Sequence, residues 1–193
     1  MNTKKLKIKD IITVTLLSLI NIVIFSAGTL LYLTPITVLL MPVFYSLLQG
    51  IVFFMIAVKV KKRGVMFLYC AIQGIIGFYI PYLLLYLAAG IIVETILTKT
   101  DYANPFGVTI SYVIMQVLAC IASTIYPYTV ALNATLEGMK NTGNLNENIV
   151  QAGEMLQSWG SILLLLGVAI ASIIGALIGK RVVKKHLLND PKA

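Results

Sequence analysis

Charge is scarce in this sequence: 11% of its 193 residues are Asp, Glu, Lys or Arg, where a soluble domain carries roughly a quarter. So little polar surface excludes an ordinary water-soluble domain. Histidine is represented only by His186, in a basic tail, and cysteine only by Cys70 and Cys120, both inside apolar runs. Neither type has the spacing of a metal or redox site, so the cysteines read as small packing residues. Among the seven acids, Glu94 is the one set well inside a predicted helix. With no His pair, Glu-Glu motif, Asp dyad or Ser-His-acid set, an enzyme is not expected. No Gly-x-x-x-x-Gly-Lys-Ser/Thr run is present either, so ATP-driven work would need another chain to bind the nucleotide.

What the sequence does have is apolar length. Hydrophobic residues make up 59% and the mean hydropathy is +0.94. Runs near the ~20 residues that a membrane helix needs fall at about 11–33, 41–58, 65–80, 81–97, 107–133 and 159–179. Pro35 and Pro81 mark turns, and Pro127 marks a kink. The connections test this division independently. Fourteen of the 15 basic residues, from Lys4 and Lys5 through Lys62 and Arg63 to Lys185 and Lys192, fall on one side of it, and only Lys140 on the other. The positive-inside rule makes that side cytoplasmic. The expectation is an all-α integral membrane protein, one domain over 1–193, with six transmembrane helices and both termini cytoplasmic, multi-pass in the cell membrane. The net charge of +8 then belongs to membrane flanks, and nucleic acid is not expected as a partner. Lysines, an apolar run and Ser26–Ala27–Gly28 also resemble a signal peptide; the run is long for one, so retention as the first helix is expected.

Aromatic residues crowd the outer ends of these helices. Tyr32, Phe44, Tyr45, Phe78, Tyr79, Tyr82, Tyr86, Tyr126, Tyr128 and Trp159 all lie there, with fewer on the inner side. An interfacial belt normally has two sides, so the asymmetry points to an outward-facing aromatic pocket. Tyr82, Tyr86, Gly90 and Glu94 recur every four residues, as do Tyr112, Gln116, Cys120, Thr124 and Tyr128, so neighbours in each series share a helix face. Ser18, Asn21, Gln49 and Gln73 add polar groups at depth. Polar side chains avoid lipid and turn toward protein or a cavity. The expected substrate-binding residues are Tyr32, Tyr45, Gln49, Tyr79, Tyr82, Tyr86, Tyr126, Tyr128 and Trp159.

Two further features admit two readings each. Gly167, Ala171, Gly175 and Gly179 form a small-residue stripe on the last helix, fit for packing within the chain or for docking a partner helix. Ser172 and Ala176 widen it toward the second. The outer segment 134–158 is polar and mildly acidic; it is either a solvated connection or a lid, with a short helix near 148–156.

The Lys-rich start running into Leu-Lys-Ile-Lys-Asp-Ile-Ile-Thr at 6–13, the Pro-containing approach to the second helix, its Ala-Val-Lys-Val-Lys-Lys-Arg-Gly exit at 57–64, and Gly-Ala-Leu-Ile-Gly-Lys-Arg-Val-Val-Lys-Lys-His at 175–186 resemble the Trep_Strep family of S components of energy-coupling factor (ECF) transporters. The resemblance implies a membrane subunit that captures a vitamin- or cofactor-like nutrient outside, docks on a membrane T subunit driven by two ATPases, and topples to release it. S components typically dock through small residues of the first helix, often Ala-x-x-x-Ala; this first helix has Ser18–Asn21 and Ser26–Gly28 but no such motif. For substrate the resemblance points to haem, bound as cargo with no intrinsic cofactor. Its iron would find Tyr, Met or Cys outside but no His, and its propionates only Lys140. A neutral aromatic vitamin fits the same residues, and a stand-alone small transporter or channel is the alternative function.

Overall fold

The computed structural model describes residues 5–77, 79–143, 147–157 and 159–185. Lys4, Phe78, His186 and Lys192, read above from sequence, lie outside them. The described chain is all helical: α1 (Ile8–Gly28), extended by a 3-10 turn, then α2 (Pro35–Val60), α3 (Val65–Ile76), α4 (Ile80–Thr100) and α5 (Pro105–Cys120). A π-helical stretch, Ile121–Ile125, joins α5 to the short α6 (Tyr126–Tyr128). Two outer helices, α7 (Leu132–Asn141) and α8 (Glu147–Leu156), precede α9 (Gly160–Val183).

Local chemistry sets several of these boundaries. The Thr34 side chain accepts from the Thr37 N–H while the Thr37 side chain accepts from the Thr34 N–H, and Pro35 sits at the first helical position. That capping box starts α2 earlier than residue 41, and Pro42 ends up inside the helix. Asn104 caps α5 in the same way, accepting from the Phe106 and Gly107 N–H groups ahead of Pro105. Lys61, in the left-handed region at φ 46°, closes α2.

Among the described residues, five stretches are long and apolar enough to cross a membrane; α3 is apolar but shorter. Its 12 residues rise only about 18 Å, against a hydrocarbon core of about 30 Å. The expected helix 65–80 thus ends at Ile76, and the outer space above α3 is left for something else.

Contacts between helices fix their direction. Gly50 of α2 meets Gly175 and Gly179 of α9, with Ser46 nearer one end and Phe54 nearer the other, so the two helices run parallel. Alternating passes require this of the second and sixth of six crossings. At the basic end, Asp10 of α1 pairs with Lys62 in the α2–α3 connection and accepts the Lys7 N–H at 2.7 Å. Glu94, near the end of α4, reaches the start of α3: its carboxylate accepts the Gly64 N–H at 2.6 Å, the Met66 N–H at 3.1 Å and the Phe67 N–H at 3.3 Å, and the Tyr102 hydroxyl. A carboxylate at a helix N-terminus satisfies donors that the helix itself leaves unpaired and meets the positive end of its dipole. Burial, reinforced by Glu94, pushes the Tyr102 phenol up, so it stays protonated and donates. The one acid within the apolar runs therefore joins helices.

The charge partition predicts the outcome of cysteine labelling. Cys70 and Cys120 are buried and should stay silent. In intact cells Lys140→Cys should react with an impermeant maleimide, and Lys61→Cys and Lys185→Cys only after lysis. Labelling of either of the latter from outside would overturn the six-pass topology.

Candidate functional site

The space above the short α3 is a cavity of about 410 Å³, within the ~300–1,000 Å³ range of small-molecule sites. Four parts of the chain wall it. Phe25 comes from the end of α1; Gly77, Tyr79 and Tyr82 come from the α3–α4 turn and the start of α4. Ser123, Pro127 and Tyr128 come from the π-helical stretch and α6. Ala134, Thr135, Gly138, Met139 and Thr142, on or just after α7, close the remaining side. The π-helical insertion and Pro127 end α5's regular course where its residues meet the cavity. No lining side chain is charged, and partial burial pushes the Tyr79 phenol up, so that ring stays neutral as well.

The two outer helices differ sharply. α8 seats Ile149, Ala152 and Leu156 in a cluster with Val38, Tyr128, Leu164 and Val168, and Asn148 donates to the Tyr32 carbonyl at 3.0 Å. It is a fixed plug, close to the short helix expected near 148–156. α7 fully buries none of its residues and meets the α8 cluster only through the partly buried Leu132 and Met139. Its Thr135 hydroxyl hydrogen-bonds within reach of the Pro127 carbonyl, at 3.0 Å, and the Ala131 carbonyl, at 2.9 Å. Burial of apolar area is the main force holding helices down, so α7 covers the cavity without being locked there.

Beneath the cavity lies a second void of about 20 Å³, lined by Phe25, Pro42, Tyr45, Gln49, Tyr82, Tyr86, Gln116, Ala119, Cys120 and Ser123. Phe25, Tyr82 and Ser123 border both spaces, so the two are separated by no more than these side chains. Tyr45 stacks on Phe25 with ring centroids 4.7 Å apart, and Tyr82 leans on Tyr86 at 4.6 Å. Further in, Phe53, Phe54, Tyr69, Tyr112 and Met115 pack without a gap to solvent.

Of the nine residues expected to bind substrate, Tyr79, Tyr82 and Tyr128 line the larger cavity, and Tyr45, Gln49, Tyr82 and Tyr86 line the smaller void. Three line neither. Tyr32 packs beside Tyr128 in the α8 cluster. Tyr126 and Trp159 are 37% and 73% exposed, as amphipathic rings are at a membrane interface. Among the lining residues outside the expected nine are Phe25, Gly77, Ser123, Pro127 and the α7 wall of the larger cavity, and Gln116 of the smaller void. For α7, Leu132, Leu136 and Met139 do recur at helical spacing, which was the available signal.

The stripe assigned to docking is a joint within the chain. Ala171, Gly175 and Gly179 are buried. A Cβ on Gly175 would fall on the Ser46 carbonyl oxygen and lie 2.7 Å from that of Leu47; one on Gly179 would lie 2.5 Å from the Gly50 carbonyl oxygen. The face that these glycines present is occupied by α2, which removes them from an outer docking surface. Gly167, where a Cβ would sit 3.7 Å from Val43 Cγ2, packs more loosely. Among the described residues no group of three or more His, Cys, Asp and Glu side chains gathers as a metal site.

Comparison with curated proteins and with solved structures returns no match. A family model described as hypothetical bacterial integral membrane protein (Trep_Strep) matches residues 8–189. The chain, a multi-pass helical membrane protein, belongs to the Trep_Strep family.

Proposed function

We infer that this protein is the substrate-capturing subunit of an ECF-type importer, an S component that takes up a small, uncharged, largely aromatic molecule from outside. The observation that carries this reading is the 410 Å³ cavity, with no charged lining side chain, aromatic-walled, at the end of the bundle opposite all the basic residues but Lys140 and covered by a lightly held helix. The packed inner half favours capture over conduction: a stand-alone channel needs a path that Phe53, Tyr69 and Tyr112, at 0% exposure, block. Release inward then requires the whole subunit to be moved, which is the work of a T subunit and two ATPases.

Haem is the less favoured cargo. Met139 and the phenols of Tyr79, Tyr82 and Tyr128 border the cavity and are possible axial donors. The two propionates, however, would meet no basic lining group, since Lys140 is exposed on α7 and is not part of the wall. Burying a carboxylate without a partner is strongly unfavourable.

Purification of the tagged protein from its native membranes, followed by mass spectrometry of the extract and of associated chains, tests this. An uncharged planar molecule in near-equal amount, with a membrane subunit and ATPases, is expected. A preparation that carries no such molecule and no ATPase would contradict the reading.

A further inference from the structure

The smaller void has a floor whose hydrogen-bond polarity is fixed. The Tyr112 hydroxyl donates to the Ser46 carbonyl at 2.7 Å. A carbonyl only accepts, so the Tyr112 proton is committed and its oxygen is left to accept. The Gln116 amide must then turn its NH₂ toward Tyr112, at 2.9 Å. The same NH₂ donates its second hydrogen to Gln49 Oε1 at 3.0 Å, which orients Gln49 as well. This chain of constraints settles both amide orientations from the hydrogen-bond network.

What remains is complementary. Gln116 has used both donors and keeps its Oε1 as an acceptor; Gln49 has used its Oε1 and keeps its Nε2 as a donor. Neither leftover group has a hydrogen-bond partner among the described residues. Both side chains are 3% exposed, and both border the void. Its 20 Å³ holds about one or two atoms the size of a water oxygen. A polar group covered by a ligand without gaining a partner is costly, so two opposite ones bordering the void suit a ligand group carrying one acceptor and one donor side by side.

We propose that Gln49 and Gln116 form a selectivity floor for an uncharged amide-like end of the ligand, a carboxamide, lactam or ureido group. Its carbonyl accepts from Gln49 Nε2 and its N–H donates to Gln116 Oε1, while its flat apolar body fills the outer cavity. This rests on the outer cavity being the ligand site, and it narrows the cargo to neutral aromatic amides and their cyclic relatives.

The test is calorimetric titration of the purified full chain in lipid nanodiscs with three probes of one shape: β-naphthamide, β-acetonaphthone and β-naphthoate. The ketone keeps the carbonyl and lacks the N–H; the carboxylate carries charge. The amide should bind about tenfold or more tighter than the ketone, because the ketone leaves Gln116 Oε1 unpaired, and the carboxylate should bind weakest. Gln116→Met should erase the amide-over-ketone gap while keeping the ketone's affinity. Where that variant fails to fold, the wild-type series decides alone. Equal affinity for amide and ketone overturns the floor and leaves the outer cavity standing as a site. A wild-type gap that persists in folded Gln116→Met overturns the assignment to Gln116. Failure of all three probes to bind removes both the floor and the cavity reading.

Discussion

Gly175→Leu should prevent normal assembly of the bundle. Real Cβ atoms do not approach other heavy atoms as closely as this one would approach the Ser46 and Leu47 carbonyls, and the obstacle is α2 backbone, not the end of a flexible side chain. Overpacking typically costs about 1–3 kcal/mol, and a backbone obstruction belongs at the top of that range. The melting temperature of the purified protein should fall by roughly 5–10 °C, or the variant should fail to accumulate. Even Gly175→Ala should be destabilising, because the clash begins at Cβ. Gly167→Ala, in ordinary contact with Val43, should change little. A stable Gly175→Leu protein that has lost only its association with other subunits would return the stripe to docking. The substitution also displaces Ser46, whose carbonyl anchors Tyr112 and through it the two glutamines.

Glu94→Ala should be the second large loss. It leaves the Gly64, Met66 and Phe67 N–H groups and the Tyr102 hydroxyl without their acceptor. Hydrogen bonds to charged groups contribute about 1.5–3 kcal/mol each. Partial access of water to this end of the bundle softens their sum, so a loss of about 3 kcal/mol is expected in thermal or denaturant unfolding. Glu94→Gln keeps an acceptor and loses the charge, so it should recover part of the difference. The effect reaches the cavity because α3 is a single short rod: its capped end is cytoplasmic, and its other end leads to Gly77 and Tyr79 in the cavity wall. If Glu94→Ala melts with wild type, the carboxylate is not what holds α3.

These two residues show what sequence makes legible and what it hides. Glu94 stands out as an acid in an apolar run, but its partners lie in α3 and in the α4–α5 connection, where spacing along the chain says nothing. The glycine stripe is visible, and so is its match in hindsight: Ser46 and Gly50 on α2 are also four apart. Small residues say that a backbone comes close without saying whose. The charge partition, by contrast, depends only on counting basic residues between apolar runs, and it yields the helix order directly. The early start of α2 was written in Thr34, Pro35 and Thr37, a cap that hydropathy alone overlooks. For the cavity, aromatic crowding located the outer end and picked out Tyr79, Tyr82 and Tyr128. It could not separate these from Tyr126 and Trp159, since a ring at a membrane interface and a ring in a pocket wall satisfy the same preference.

If the space beneath α7 holds the ligand, Gly138→Trp should exclude it. Gly138 borders the cavity, and a Cβ there meets nothing within 4 Å, so an indole placed at this edge displaces no backbone. Replacing a helical glycine should also leave α7 no less stable. Wild type and variant would be purified from native membranes, checked for equal melting temperature, and compared for the small molecule that each carries. The variant should fold normally and retain less than about a tenth of the wild-type molecule, a loss of about 1.4 kcal/mol or more in binding. The same molecule recovered in equal amount from both would contradict the cavity as the ligand site.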